Sequence, residues 1–160
     1  KLPRFVRTLG NHEHRISKAV ERDPVLEGTI GLFDLQSKQY GWEEYPFLES
    51  VQIAGVNYAH YFVSGVAGRP VPSAAAIVAK KLESCTMGHV HTFDHCVKAT
   101  ESGRRIHGLF CGVFQDYDSG YAGPANKIWD RGVAIKHGVE NGNYDLEWVS
   151  LKRLKEIYDK

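Results

Sequence analysis

Long apolar runs are missing from this sequence. No stretch approaches the roughly 20 consecutive apolar residues that span a bilayer, and the first residues carry no signal-peptide pattern, so a membrane role is not expected. Cysteine is sparse. Cys85, Cys96 and Cys111 are odd in number and widely spaced, which argues against a disulfide framework and for a reducing, cytoplasmic setting. The absence of any Cys-x-x-Cys also removes the usual paired zinc knuckle. Charge of one sign is lacking too: 20 Lys and Arg stand against 19 Asp and Glu, a net +1, so nothing in the composition calls for tight, sequence-independent binding to nucleic acid or anionic lipid. No internal repeat and no low-complexity segment occurs. The 160 residues, with an ordinary 42% hydrophobic share, suffice for one core and are too few for two.

Periodicity and punctuation mark the elements. Residues 5–9 suit a buried strand closed by Gly10. Ile16, Ala19 and Val20 recur at helical spacing over residues 13–22, and Asp23-Pro24 ends that helix. A second short helix is expected within residues 26–42. Residues 51–53 and 56–62 flank Ala54-Gly55 as a hairpin, and Ser73 caps a helix running to Leu82. The remainder alternates like a meander: residues 85–87, then 93–100 and 105–113 around Ser102-Gly103, then 132–139 and 144–149 around Asn141-Gly142. A loop rich in aromatics and glycine fills residues 115–130, and a helix over 151–158 closes the chain. Helices mixed with several antiparallel strands predict an α+β fold with a layered core.

Three clusters carry chemistry. In Gly10-Asn11-His12-Glu13, a strand followed by glycine presents Asn11 and His12 at a sheet edge. The Asn11 amide oxygen can ligate a hard metal, His12 can donate a proton, and Glu13 could orient its ring. The competing account is an ordinary helix start with Asn11 as N-cap. In Gly88-His89-Val90-His91 the two rings would face opposite ways on a regular strand, whereas in a loop both could turn to one metal; the alternative is two solvated histidines. His60, ahead of Tyr61-Phe62, would by itself be an ordinary packed histidine.

In this order the three clusters resemble the calcineurin-like metallophosphoesterases, whose second-half signatures are Gly-Asn-His-Asp/Glu, a lone His and Gly-His-x-His. The stretches Ala59-His60-Tyr61-Phe62 to Gly68-Arg69-Pro70, and Asp116-Tyr117 through Tyr121-Ala122-Gly123 to Trp129 and Arg131-Gly132, are similar to the phage-type members. The resemblance implies part of a four-layer α/β/β/α sandwich and metal-dependent hydrolysis of phosphate esters, mono- or diester. It implies a site with two divalent ions (manganese, zinc, iron or magnesium): Asn11, His60 and His89 on one, His91 on the other. His12, with Glu13 behind it, would steady the transition state or protonate the leaving oxygen. A nucleotide or nucleic acid falls within the implied substrate range.

The family's two earlier motifs, Asp-x-His and Gly-Asp-x-x-Asp, occur nowhere in this sequence. With Lys1 in place of a starting Met, the expectation is that residues 1–160 are a single partial domain, its C-terminal two-thirds, with little activity alone. His14, His95 and Cys96 are expected to be supporting or ordinary residues, and Arg69 a solvated loop arginine. Asp116, Tyr117, Asp118, Tyr121 and Trp129 lie in a loop suited either to substrate contact or to packing on the sheet. Two other readings stay open: a non-catalytic zinc module built from His89, His91, His95 and Cys96, and a degenerate metal-binding remnant.

Overall fold

A computed structural model of the chain describes residues 3–159. It is an α+β structure. The strands are β1 (Phe5–Thr8), β2 (Trp42–Tyr45), β3 (Val51–Ile53), β4 (Val56–Ala59), β5 (Ser84–Met87), β6 (Phe93–Ala99), β7 (Arg105–Cys111), β8 (Gly132–Glu140) and β9 (Asn143–Ser150); the helices are α1 (Asn11–Arg22), α2 (Ala74–Lys81) and α3 (Leu151–Tyr158). Five strands form one sheet in the order β3-β4-β5-β7-β6.

The hairpins β3–β4, β6–β7 and β8–β9 stand where their turn residues place them. Ala54, Gly103, Asn141 and Gly142 all take the left-handed backbone such turns need. Ser73 caps α2 through its side chain, which accepts from the Ala76 amide, and Ser150 caps α3 in the same way.

Three expectations need correction. The meander is not antiparallel throughout: β5 runs parallel to both of its neighbours, β4 and β7, because α2 carries the chain across the sheet between β4 and β5. The strand at residues 5–9 is not buried. Among the described residues it pairs only with β2, in parallel, and Phe5 and Trp42 keep about two-fifths of their surface exposed while packing on each other at 5.1 Å. The helix expected within residues 26–42 is a 3-10 turn, Leu32–Leu35, ending at Gln36 in left-handed conformation; another, Pro24–Leu26, directly follows α1.

Register decides what covers each face of the large sheet. Cys85, Met87 and Phe110 point to one side and pack with Val71 and Ile77 beneath α2. Gly108 lies on that side, where the helix backbone comes so near that a Cβ would stand 2.2 Å from the Ala74 carbonyl oxygen. Asp94 locks the contact by accepting from the Ala74 amide at 2.7 Å. The other side meets the β8–β9 hairpin: Trp148 packs on Phe93 at 4.6 Å, and Tyr144 on His107 at 4.1 Å.

That second layer is polar for a core. Lys136 donates to Tyr58 and Thr86 at 3.0 and 2.6 Å with its ammonium over the Tyr58 ring, and burial lowers its pKa to about 8. Beside it, His107 touches His95 at 3.1 Å and Asn143 at 2.9 Å. Burial lowers the pKa of both rings; the cations of Arg105 and Lys136 add to it at His107, and His107 itself and Lys136 at His95, against partial support from Asp145 and Asp94. A ring held neutral in the fold but free to protonate when unfolded makes stability complete above its unfolded pKa, near 6.5, and costs stability as pH falls below it. The urea midpoint is therefore expected to drop between pH 7.5 and pH 5, and to drop less steeply in His95→Gln.

Candidate metal centre

The parallel register of β4 and β5 puts their carboxyl ends side by side, Ala59 opposite Met87. His60 follows the first strand and Gly88-His89 the second, tied together by the Gly88 amide donating to the His60 carbonyl at 3.2 Å. His89 and His91 both adopt left-handed backbone, with φ of 67° and 62°. This loop conformation frees the two rings from strand alternation. From the other sheet, β1 ends at buried Leu9 and Gly10, and α1 begins at Asn11.

These elements bring three donor atoms together. His60 Nε2 lies 2.7 Å from Asn11 Oδ1 and 3.0 Å from His89 Nδ1. Burial, then the neighbouring His89, pushes the His60 pKa down to about 4, and burial followed by the field of His12 lowers that of His89. Both rings are therefore neutral at pH 7 and have lone pairs to give. Two imidazole nitrogens and an amide oxygen from three different elements, with His60 Nε2 in contact with each of the other two, are donors of the kind one borderline divalent cation takes. Gly10 makes room for the His60 ring, because a Cβ there would come within 2.8 Å of His60 Cε1.

The sequence-derived residues divide. Asn11, His60 and His89 are gathered. His91 lies near enough for His89 and His12 to lower its pKa after burial, yet its ring packs edge-on to Trp129 at 4.3 Å and makes no bond to the trio. His12 is exposed on the first turn of α1, and its charge is felt by His60, His89 and His91 alike. Glu13 does not stand behind His12. Its carboxylate accepts from the Gly10 amide and from Arg7, both at 2.8 Å, and Arg7 donates onward to Ser37. Burial opposes ionisation of Glu13, but those hydrogen bonds outweigh it and hold the carboxyl below its ordinary value. Glu13 is thus a helix cap that fixes the β1–α1 turn, and Gly10, rather than Asn11, occupies the N-cap position.

His14 stacks on Phe47 at 4.8 Å; Phe47 and Tyr61 in turn pack around His60 and His89. Phe47 was not singled out from the sequence, and Tyr61 entered only within the stretch Ala59-His60-Tyr61-Phe62. His95 turns away to His107, and among the described residues no group of three or more His, Cys, Asp or Glu side chains is placed to share a metal. The four-ligand set of His89, His91, His95 and Cys96 is therefore not assembled. Arg69 is exposed in its loop. Asp116 and Asp118 pair with Lys155 and Arg131.

Compared with protein-family models, with curated proteins and with solved structures, the chain matches none.

Proposed function

We propose that this chain supplies one cation site and an acid–base histidine to a metal-dependent phosphoesterase centre, as the resemblance to calcineurin-like metallophosphoesterases implies. The observation that carries the reading is the contact of His60 Nε2 with Asn11 Oδ1 and His89 Nδ1, where the start of α1 meets the paired ends of β4 and β5. In this reading α2, the five-stranded sheet and the β8–β9 hairpin belong to a four-layer sandwich, residues 1–160 are part of one cytoplasmic domain, and His91 serves a second cation. Bound divalent ions would supply Lewis-acid stabilisation of the phosphate oxygens and activation of the attacking water.

The chain's own residues do the rest. Asn11, His60 and His89 hold the cation in a fixed place because each stands on the first residues after a strand or at the head of a helix. His12, exposed on the same rim, reaches the phosphate and gives a proton to the leaving oxygen. Phe47 and Tyr61 exclude water from the back of the ligand set. A carboxylate bridging two ions is the part that Asp-x-His and Gly-Asp-x-x-Asp would contribute, and neither motif is in this sequence.

The test is manganese-dependent hydrolysis of bis(4-nitrophenyl) phosphate by the longest reading frame containing these residues, and by residues 1–160 alone. Turnover by the longer protein that His12→Ala lowers by about a hundredfold, with little from the shorter chain, is the expected result. Metal binding without turnover in either protein would replace the enzyme with a metal-binding remnant.

A further inference from the structure

Arg7 stands on β1, just ahead of the turn that delivers Asn11, and reaches two other elements. Its Nη2 donates to Glu13 Oε1 on α1 at 2.8 Å, and its Nη1 donates at 3.0 Å to the hydroxyl of Ser37, a buried residue in the segment before β2. The second oxygen of Glu13 accepts from the Gly10 amide at 2.8 Å, so hydrogen bonds close residues 7–13 into a ring that contains Asn11 and His12. Gly10 is wedged at its edge. A Cβ there would stand 2.8 Å from His60 Cε1 and 3.0 Å from Glu13 Oε2, which leaves no slack between the carboxylate and the His60 ring. A displacement of Glu13 is therefore passed to the backbone that holds Asn11 against His60.

Arg7 makes these bonds in preference to a nearer-paired carboxylate. Glu44 is its partner in the parallel β1–β2 ladder, yet Glu44 Oε1 is buried without a hydrogen-bond partner among the described residues. A buried acceptor left unpaired is unfavourable, and an arginine serving stability alone would be expected to take the carboxylate across the ladder. Departures from local pairing of this kind collect at functional sites.

We propose that Arg7 is a positioning residue for the metal centre: through Glu13 and Gly10 it sets where Asn11 Oδ1 stands relative to His60, without touching cation or substrate. The inference rests on the proposed centre for the roles of Asn11 and His60. Arginine suits the task because its planar fork donates from separate nitrogens in fixed directions, so one side chain ties α1 and the Ser37 segment to β1 at once. A lysine ammonium could hold Glu13 but lacks the fork. Ser37 has the complementary part: by accepting the other arm it keeps the guanidinium turned away from Glu44.

Calorimetric titration of the chain with Mn2+ tests it. Arg7→Met, which keeps the stem and removes the donors, is expected to weaken Mn2+ binding about tenfold, the scale of support lost behind a ligand. Arg7→Lys should restore part of that loss. Arg7→Met should add nothing to the loss in Glu13→Ala, since both break one chain of bonds. Ser73→Ala, which removes the cap of α2, is the control for lost stability and should bind as wild type does. An Arg7→Met variant with a lower urea midpoint and undiminished Mn2+ affinity overturns the proposal, as does a double variant whose loss equals the two single losses combined. If His60→Ala weakens binding and Arg7→Met does not, the proposal falls while the centre stands. If neither does, or wild type binds no Mn2+, both fall.

Discussion

His60→Ala should lower the Mn2+ affinity of this chain by more than about a hundredfold, since loss of a ligand exceeds the 10–100-fold typical of its supporting residues. His60 is the hub: its Nε2 is the one atom in contact with both Asn11 Oδ1 and His89 Nδ1. Its removal leaves two donors from α1 and the β5 loop with nothing between them to set their separation. The ring is only partly buried and belongs to none of the apolar core, so the substitution should leave the fold intact. Asn11→Ala, on the first turn of α1, should act in the same direction with a smaller loss, because an amide oxygen binds a borderline cation less strongly than imidazole. Calorimetric titration with Mn2+ or Zn2+ reads both. Undiminished affinity in both variants would place the metal elsewhere and return the zinc-module reading.

Gly108→Ala should be among the most damaging single methyl groups in the fold, costing about 3 kcal/mol of stability, the upper end for overpacking. The new Cβ would point at the Ala74 carbonyl oxygen, 2.2 Å away, with Val78 Cγ2 at 3.1 Å. Relief by a shift of α2 is opposed at the helix head, where Asp94 of β6 holds the Ala74 amide. The helix would have to lift from Ile77, Cys85 and Phe110, all buried. Gly65→Ala is the control: it has open space around it and ordinary backbone, so its change should stay within about 0.5 kcal/mol. Urea unfolding of both proteins measures the difference. Equal midpoints would mean that α2 does not sit this close to β7.

Local chemistry made much of the fold readable. Asn141-Gly142, Ser102-Gly103 and Ala54-Gly55 each marked a hairpin because only certain residues accept the turn's backbone angles without strain. Ser73 and Asp23-Pro24 marked helix ends because unpaired amides need an acceptor and proline lacks an amide. Of the proposed ligands, Asn11, His60 and His89 were named through the resemblance, His60 by itself reading as an ordinary packed histidine, and the structure brings His60 into contact with the other two.

What the residues alone determined, then, was most of the elements and their turns, since these depend on backbone preferences within a few positions. Only the tertiary structure decided which donors meet. The parallel pairing of β4 with β5 set His60 beside His89, a relation between residues 29 apart that no local preference encodes. It also diverted Glu13 from His12 to Gly10 and Arg7, sent His95 to His107, and seated Trp129 on His91. Each of those choices is a competition between alternative partners, near in sequence for Glu13 and farther for the histidines, settled by which of them packing and burial bring within reach.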